Sequence, residues 1–180
     1  MSSLDHLWAG WRSAFVSGPG SHGHDKGDCV FCAILASGLA DADVHIVWRH
    51  PAGRVFAILN AYPYTSGHLM VMPIRHVAEL EDLEGEESAE LWEAVTYAVH
   101  ALKAAYNPEG VNIGANLGRA AGAGVPGHFH MHVVPRWAGD TNFMTTVADA
   151  RVLPEPLSQS ATKLRTAWPP GGSAPSRQTP

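Results

Sequence analysis

The sequence predicts an α+β domain built around a mainly antiparallel sheet. Two observations predict this fold class: short β-rich runs recur with turn signals between them, and one long amphipathic helix interrupts them. The helix is predicted over 86–106, where apolar residues recur at helical spacing until Asn107-Pro108 stops it. The strands are predicted over 44–49, 54–60, 68–74, 111–117 and 128–135.

Each strand is bounded by residues that favour a turn. The runs VHIVWR and RVFAILN are separated by HPAG, which is typical of a hairpin, and HLMVMPI follows the turn-forming sequence YPYTSG. A length of 180 residues suits one domain with tails. We expect this domain over 28–155, after a partly flexible N-terminal extension over 1–27. A C-terminal segment over 156–168, with a helix as one expectation, and a disordered tail over 169–180 follow it.

The charge and hydropathy of the chain argue against two classes of protein, nucleic-acid binders and membrane proteins. Twelve basic and 17 acidic side chains give a net charge of -5, which argues against a protein that grips a nucleic-acid polymer through many phosphates. No run approaches the roughly 18 apolar residues of a membrane span, and the N-terminus lacks the features of a signal peptide. We therefore expect a cytoplasmic protein without a membrane partner.

The two cysteines lie together in the sequence CVFC. The spacing of Cys29 and Cys32 lets two thiolates reach one tetrahedral zinc ion, and a redox pair or two buried thiols are the alternatives. A redox pair is typical of a helix start after a strand, whereas this pair follows a loop rich in Gly and Asp. Zinc needs two further ligands, and His76 and one histidine from 128–132 are candidates.

The sequence HFHMHVVPRW places three histidines at alternate positions. On a β-strand, His128, His130 and His132 share one face, while Phe129 and Met131 pack on the other. This row predicts a metal site or a catalytic site, and a chance arrangement among the 11 histidines of the chain is the alternative. In the catalytic interpretation His130 is the nucleophile, because one neutral ring nitrogen attacks phosphorus while a carbonyl holds the other as N–H.

A loop that favours anions precedes the histidines. Residues 116–127, NLGRAAGAGVPG, have Gly or Pro at five of twelve positions and no acidic side chain. Backbone amides in such loops suit phosphate, although an ordinary flexible turn has the same composition.

Together these residues resemble the histidine triad family. Residues 128–135 resemble its signature, and residues 59–64 and 67–71 resemble its nucleoside-side strands. Residues 136–144 look like the branch of bacterial diadenosine tetraphosphate hydrolases and phosphorylases, and the resemblance covers about residues 28–155. It implies a half-barrel of five antiparallel strands with one long helix, commonly paired as a homodimer.

The resemblance also implies a reaction through a nucleotidyl-histidine intermediate. His130 would attack the α-phosphorus of a dinucleoside polyphosphate, the backbone carbonyl near His128 would hold the His130 tautomer, and His132 would donate to a phosphate oxygen. Two sets of residues follow by the same analogy. Substrate contacts are expected from His132, Asn60 at the ribose, His68, Asn116, Gly122, Ala123 and Gly124, and a structural zinc site is expected from Cys29, Cys32, His76 and His128.

One departure from the family pattern concerns the molecule that accepts the nucleotidyl group from His130. Many members carry Gln followed by Ser or Thr shortly before the triad, whereas this chain has Gly122-Ala123-Gly124-Val125. Backbone amides would have to replace those side chains, and the smaller residues leave room for inorganic phosphate. Water and phosphate therefore both stay open as acceptors, as does a role for Mg²⁺ with the substrate. The alternatives are a nucleoside phosphoramidate or adenylyl-conjugate hydrolase and a non-catalytic nucleotide-binding module.

Overall fold

A computed structural model describes residues 29–140 and 155–170. Five antiparallel strands form one sheet in the order β1-β2-β3-β5-β4, so β1 and β4 are its edges. The elements are α1 (Val30–Ala36), β1 (Ile46–Arg49), β2 (Val55–Leu59), β3 (Leu69–Pro73), α2 (Gly85–Tyr106), β4 (Gly110–Ala115), β5 (Met131–Arg136) and α3 (Leu157–Ala167), with short 3₁₀ turns at Leu80–Asp82 and Arg119–Ala121. The predicted fold class is confirmed. The expectations for 1–27, for 171–180 and for the 141–144 part of the resemblance lie outside the described residues.

The sheet has two different faces. On β3, Leu69 and Val71 join the core under α2, whereas Met70 and Met72 join a smaller cluster on the opposite side. This alternation follows from the two-residue period of a strand. The larger cluster includes Val55, Ala57 and Leu59 from β2, Met131 and Val133 from β5, Phe129 from the segment just before β5, and Leu91, Val95, Ala98 and Leu102 from α2.

Helix α2 covers the larger core. Its first turn is held by a capping box between Glu84 and Glu87, and it ends at Asn107 in the left-handed conformation with φ of 45°. Helix α3 packs on α2 and β1, and the Arg165 guanidinium donates to the backbone carbonyl of Ile46 at 2.7 Å. Within the described ranges, no helix is both long and apolar enough to cross a bilayer.

The histidine-bearing strand is shorter than predicted. Strand β5 begins at Met131, so of the three alternating histidines only His132 lies in the ladder. The His128 amide instead donates to the Val125 carbonyl at 3.3 Å, and the Phe129 amide donates to the Val77 carbonyl at 2.6 Å. The first bond closes a local turn, and the second holds the approach to β5 against the segment after β3. His128 and His130 therefore lie in the loop before β5, and His132 lies in the strand.

Candidate active site and metal centre

The cysteine pair opens α1 on the sheet face opposite α2. Cys29 is the N-cap of this seven-residue helix and Cys32 lies in its first turn, so the pair starts a helix, a position that the sequence alone did not indicate. The two described cysteines form no disulfide, and Cys29 is buried. Phe31 from the same turn packs 5.4 Å from the His130 ring, which joins α1 to the histidines.

Four side chains converge into a closed donor set. The ligand atoms of Cys29, Cys32, His76 and His128 all lie within 4.8 Å of one another. His128 Nδ1 is 3.4 Å from Cys29 Sγ and 3.7 Å from Cys32 Sγ, and His76 Nδ1 is 3.4 Å from Cys32 Sγ. A tetrahedral zinc ion with ordinary Zn–S and Zn–N bonds needs an S···N separation of about 3.5 Å. The residues present therefore fit zinc, and protein atoms supply all four positions.

His128 is held in the form that a metal ligand requires. Its Nε2–H donates to the Pro73 carbonyl at 2.9 Å, so Nδ1 carries the lone pair that faces the thiols. Burial lowers the pKa of His128 to about 4, which keeps the ring neutral. The carbonyl that fixes this ring comes from the last residue of β3.

The next histidine is held as a nucleophile. His130 Nδ1–H donates to the backbone carbonyl of His128 at 2.8 Å, so Nε2 carries the lone pair. His130 is only 6% exposed, and burial lowers its pKa. A neutral imidazole with a fixed tautomer is suited to attack on phosphorus.

A second hydrogen-bond chain sets the tautomer of His132. The Tyr64 amide donates to His68 Nδ1 at 3.1 Å, so His68 Nε2 carries its proton and donates to His132 Nδ1 at 2.9 Å. His132 Nε2 is then an N–H donor. The ring centroids of His130 and His132 are 5.0 Å apart, which places an acceptor nitrogen and a donor nitrogen on neighbouring rings.

His68 contacts His132, and Asn60 lies next to His68. His68 is fully buried, and Asn60 Nδ2 lies 3.4 Å from its Nδ1. Asn60 Oδ1 accepts the Tyr62 amide at 2.9 Å. In this geometry His68 contacts His132, and its predicted direct contact with substrate stays a prediction.

The Gly-rich loop is closed on itself. Asn116 Nδ2 donates to the Gly122 carbonyl at 3.4 Å, the Gly122 amide donates to the Arg119 carbonyl at 2.9 Å, and the Ala123 amide donates to the Gly118 carbonyl at 3.3 Å. Ala123 is buried, and half-buried Gly124 follows it. The Gly122 and Ala123 amides are thus engaged within the loop and do not form an open nest for phosphate here.

A cavity of about 410 Å³ opens beside His132, over β4 and β5. Its lining includes Tyr64, Asn112, Gly114 and Arg136. Asn112 and Gly114 are not among the site residues predicted from the sequence. Both residues lie at alternate positions of an edge strand and face the same side as His132. This alternation would identify them from the sequence only if the register of β4 against β5 were known.

The comparisons with known proteins agree with this geometry. A family model for the HIT domain matches residues 43–139. The chain belongs to the HIT domain family. The resemblance to the histidine triad signature is thereby confirmed.

Relatives within this family include proteins with a stated activity or metal. The chain is 48% identical over 114 residues to the AP-4-A phosphorylase of Mycobacterium tuberculosis, a match that covers 63% of this chain and 58% of that protein. The chain thus matches less than two thirds of that relative's length. It is 30% identical over 120 residues to Protein hit of Bacillus subtilis, with 67% and 79% covered.

A solved structure shares both the fold and the family. The zinc-bound histidine triad family protein of Mycobacterium smegmatis superposes with a TM-score of 0.63 at 30% identity. The match covers 79% of this chain and 94% of that chain. This chain therefore shares the fold of that family protein.

Proposed function

We propose that this HIT domain protein splits dinucleoside polyphosphates at an α-phosphorus, through a nucleotidyl-histidine intermediate, with inorganic phosphate as the acceptor. The observation that carries the proposal is the arrangement of His130 and His132. One ring presents a buried neutral nitrogen with a lone pair, and the ring 5.0 Å away presents an N–H. Nucleophilic attack at phosphorus and stabilisation of the resulting charge require these two groups.

The reaction has two displacements at the same phosphorus. His130 Nε2 attacks the α-phosphorus of diadenosine tetraphosphate, a P–N bond forms, and the bond to the bridging oxygen breaks, which releases ATP. His132 Nε2–H donates to a non-bridging oxygen as charge develops on it. An oxygen of inorganic phosphate then attacks the same phosphorus and breaks the P–N bond, which yields ADP and restores His130. Water in place of phosphate would yield AMP.

Two observations favour phosphate as the acceptor. Residues 122–125 carry no polar side chain, and we expect the missing bulk of a Gln or Ser to leave space for phosphate beside the triad. The relative at 48% identity is named a phosphorylase. Because the chain matches only 58% of that relative, the activity is carried over here as a proposal.

The proposal assigns zinc to Cys29, Cys32, His76 and His128. When bound there, zinc would supply structural cross-linking and no reacting group, since four protein atoms fill its coordination shell. His128 links the two sites, because its side chain faces the metal position and its carbonyl orients His130. Mg²⁺ with the substrate stays a prediction.

The proposal also includes a homodimer in the cytoplasm. Strand β4 is an edge of the sheet, and four of its six residues are exposed, including Ile113 at 46%. An exposed edge strand with an apolar side chain favours pairing with a second copy. Size-exclusion chromatography with light scattering tests the dimer directly.

The activity is tested with diadenosine tetraphosphate, with and without inorganic phosphate, using the wild type and His130→Ala. Phosphorolysis predicts ADP and ATP, and only when phosphate is present. His130→Ala should lower kcat by at least about 1,000-fold, since the covalent intermediate is lost. Intact mass spectrometry of the wild type, mixed rapidly with substrate in the absence of phosphate, should detect a protein heavier by one adenylyl group.

The product pair also separates the alternatives. AMP and ATP without any phosphate dependence would make the protein a hydrolase. Turnover of adenosine 5′-phosphoramidate together with no cleavage of diadenosine tetraphosphate would replace the proposed substrate class with phosphoramidates. A folded wild type that cleaves neither compound would contradict the proposed chemistry.

A further inference from the structure

We infer that the cavity over β4 and β5 binds the nucleoside of the departing half of the dinucleotide, an inference that rests on the function proposed above. Its volume of about 410 Å³ lies within the usual range for small-molecule sites. His132 belongs to its lining, and the His132 ring is the one adjacent to the nucleophile. The cavity therefore lies next to the reacting centre, with the His132 ring between the cavity and His130.

The position of the cavity indicates which end of the substrate it binds. A dinucleoside polyphosphate has a nucleoside at each end, and attack at one α-phosphorus leaves the other nucleoside on the departing chain. Asn60 follows β2 and lies on the β3 side of His132, whereas the cavity lies on its β4 side. The region at Asn60, which the family resemblance assigns to the attacked nucleoside, and the cavity therefore lie on opposite sides of His132.

The charge of the far wall suits a nucleoside better than a polyphosphate. The Arg136 guanidinium donates to both oxygens of Asp140, at 2.6 and 2.8 Å, and to Asn112 Oδ1 at 2.8 Å. This pairing offsets the positive charge of Arg136 and holds its planar group in place. Arg136 stays a cation, but the Arg136–Asp140 pair has no net charge. Its planar guanidinium can stack with a base, while the pair offers little net attraction to a chain of phosphates.

The floor of the cavity depends on a glycine that the backbone does not require. Gly114 pairs with His132 in the ladder, so a side chain at this position would point to the same face. Gly114 is not among the positive-φ glycines, and an added Cβ would meet no heavy atom within 4 Å. Glycine weakens a strand interior and often marks a place where a ligand approaches closely. Gly114 thus keeps the cavity open next to His132.

The test compares two substrates that share the attacked phosphorus. Diadenosine tetraphosphate and adenosine 5′-tetraphosphate have the same phosphate number, but the second lacks the departing nucleoside. In Gly114→Leu, the ratio of kcat/KM for the first substrate to that for the second should fall at least about tenfold, because the leucine occupies the nucleoside position. Gly114→Ala should give a smaller fall.

Gly110→Leu is the matched control. Gly110 lies on the same strand and the same face as Gly114 but does not line the cavity. It pairs with Arg136 of β5, and an added Cβ would make only an ordinary contact with the Arg136 Cβ at 3.9 Å. Its substrate ratio should equal that of the wild type. Thermal melts and zinc content establish that each variant is folded, and Gly114→Ala carries the test if the leucine variant does not fold.

The outcomes distinguish this inference from the proposed function. A wild type that cleaves both substrates, with an unchanged ratio in Gly114→Leu, would overturn the nucleoside site and leave the proposed activity standing. The same unchanged ratio with a loss of dimer in Gly114→Leu would assign the cavity to a second copy of the chain. A folded wild type inert toward both substrates would overturn the function and the nucleoside site together.

Discussion

The two faces of the sheet are built from the same five strands but are stabilised in different ways. Among the described residues, 20 buried residues form the cluster beneath α2 and α3, whereas seven form the cluster on the histidine face. The histidine face instead holds the four-donor metal group and the neighbouring rings of His130 and His132. The first face is stabilised by apolar burial, and the second depends on polar contacts and on the metal group.

This difference separates stability from chemistry. Alternate residues on one strand serve opposite faces, so Met131 and Val133 pack on the helix side while His132 faces the cavity between them. A change under α2 should therefore lower the free energy of unfolding without altering the reaction. A change on the histidine face should alter metal binding or turnover before it alters the main core.

The largest expected effect of this contrast comes from the metal. Removing zinc with a chelator, or with Cys32→Ser, should lower the free energy of unfolding by about 4 kcal/mol when free zinc is roughly 1,000 times Kd. Metal analysis and urea unfolding, with and without added zinc, measure this. An unfolding midpoint that chelation leaves unchanged would contradict this difference between the faces, because the smaller apolar cluster would then stabilise the histidine face without metal.

A truncation under α2 should have a similar but slightly smaller effect on stability. Leu91 is 1% exposed in the larger cluster, so Leu91→Ala should cost about 3 kcal/mol from lost burial and the cavity left behind. Zinc content and kcat/KM of the folded fraction should stay at wild-type values, as measured at a temperature well below the melt. A loss of zinc in this variant would show that the two faces are coupled.

The smallest effect should come from the buried histidine behind the reacting rings. His68→Phe removes the donor to His132 Nδ1 and should lower kcat about 10- to 100-fold, as one lost buried hydrogen bond does, with little change in KM. His68→Gln keeps an amide donor near the same position and should recover part of kcat. Equal losses in both variants, or a change confined to KM, would contradict a positioning role and favour direct contact with substrate.

Local sequence patterns determined much of the fold. The apolar spacing of 86–106 predicted α2 to within one residue, because a 22-residue amphipathic helix carries its period in the sequence. The five β-rich runs predicted five strands, with errors at their ends, because pairing partners decide where a ladder begins. At Met131 the partner is Val71, and residues before it bond to the segment after β3 instead.

The same distinction applies to the site. The alternation of His128, His130 and His132 was enough to indicate a nucleophile, since local spacing alone places these rings near one another. Which histidines join the cysteines, and which carbonyl or amide fixes each tautomer, depends on residues far apart in the chain, such as Pro73 beside His128. The cavity over β4 and β5 likewise depends on the strand register that pairs Gly114 with His132. The sequence by itself determined the chemistry that is present, whereas the tertiary structure decided how it is oriented, because hydrogen-bond direction and strand register arise from contacts between distant segments.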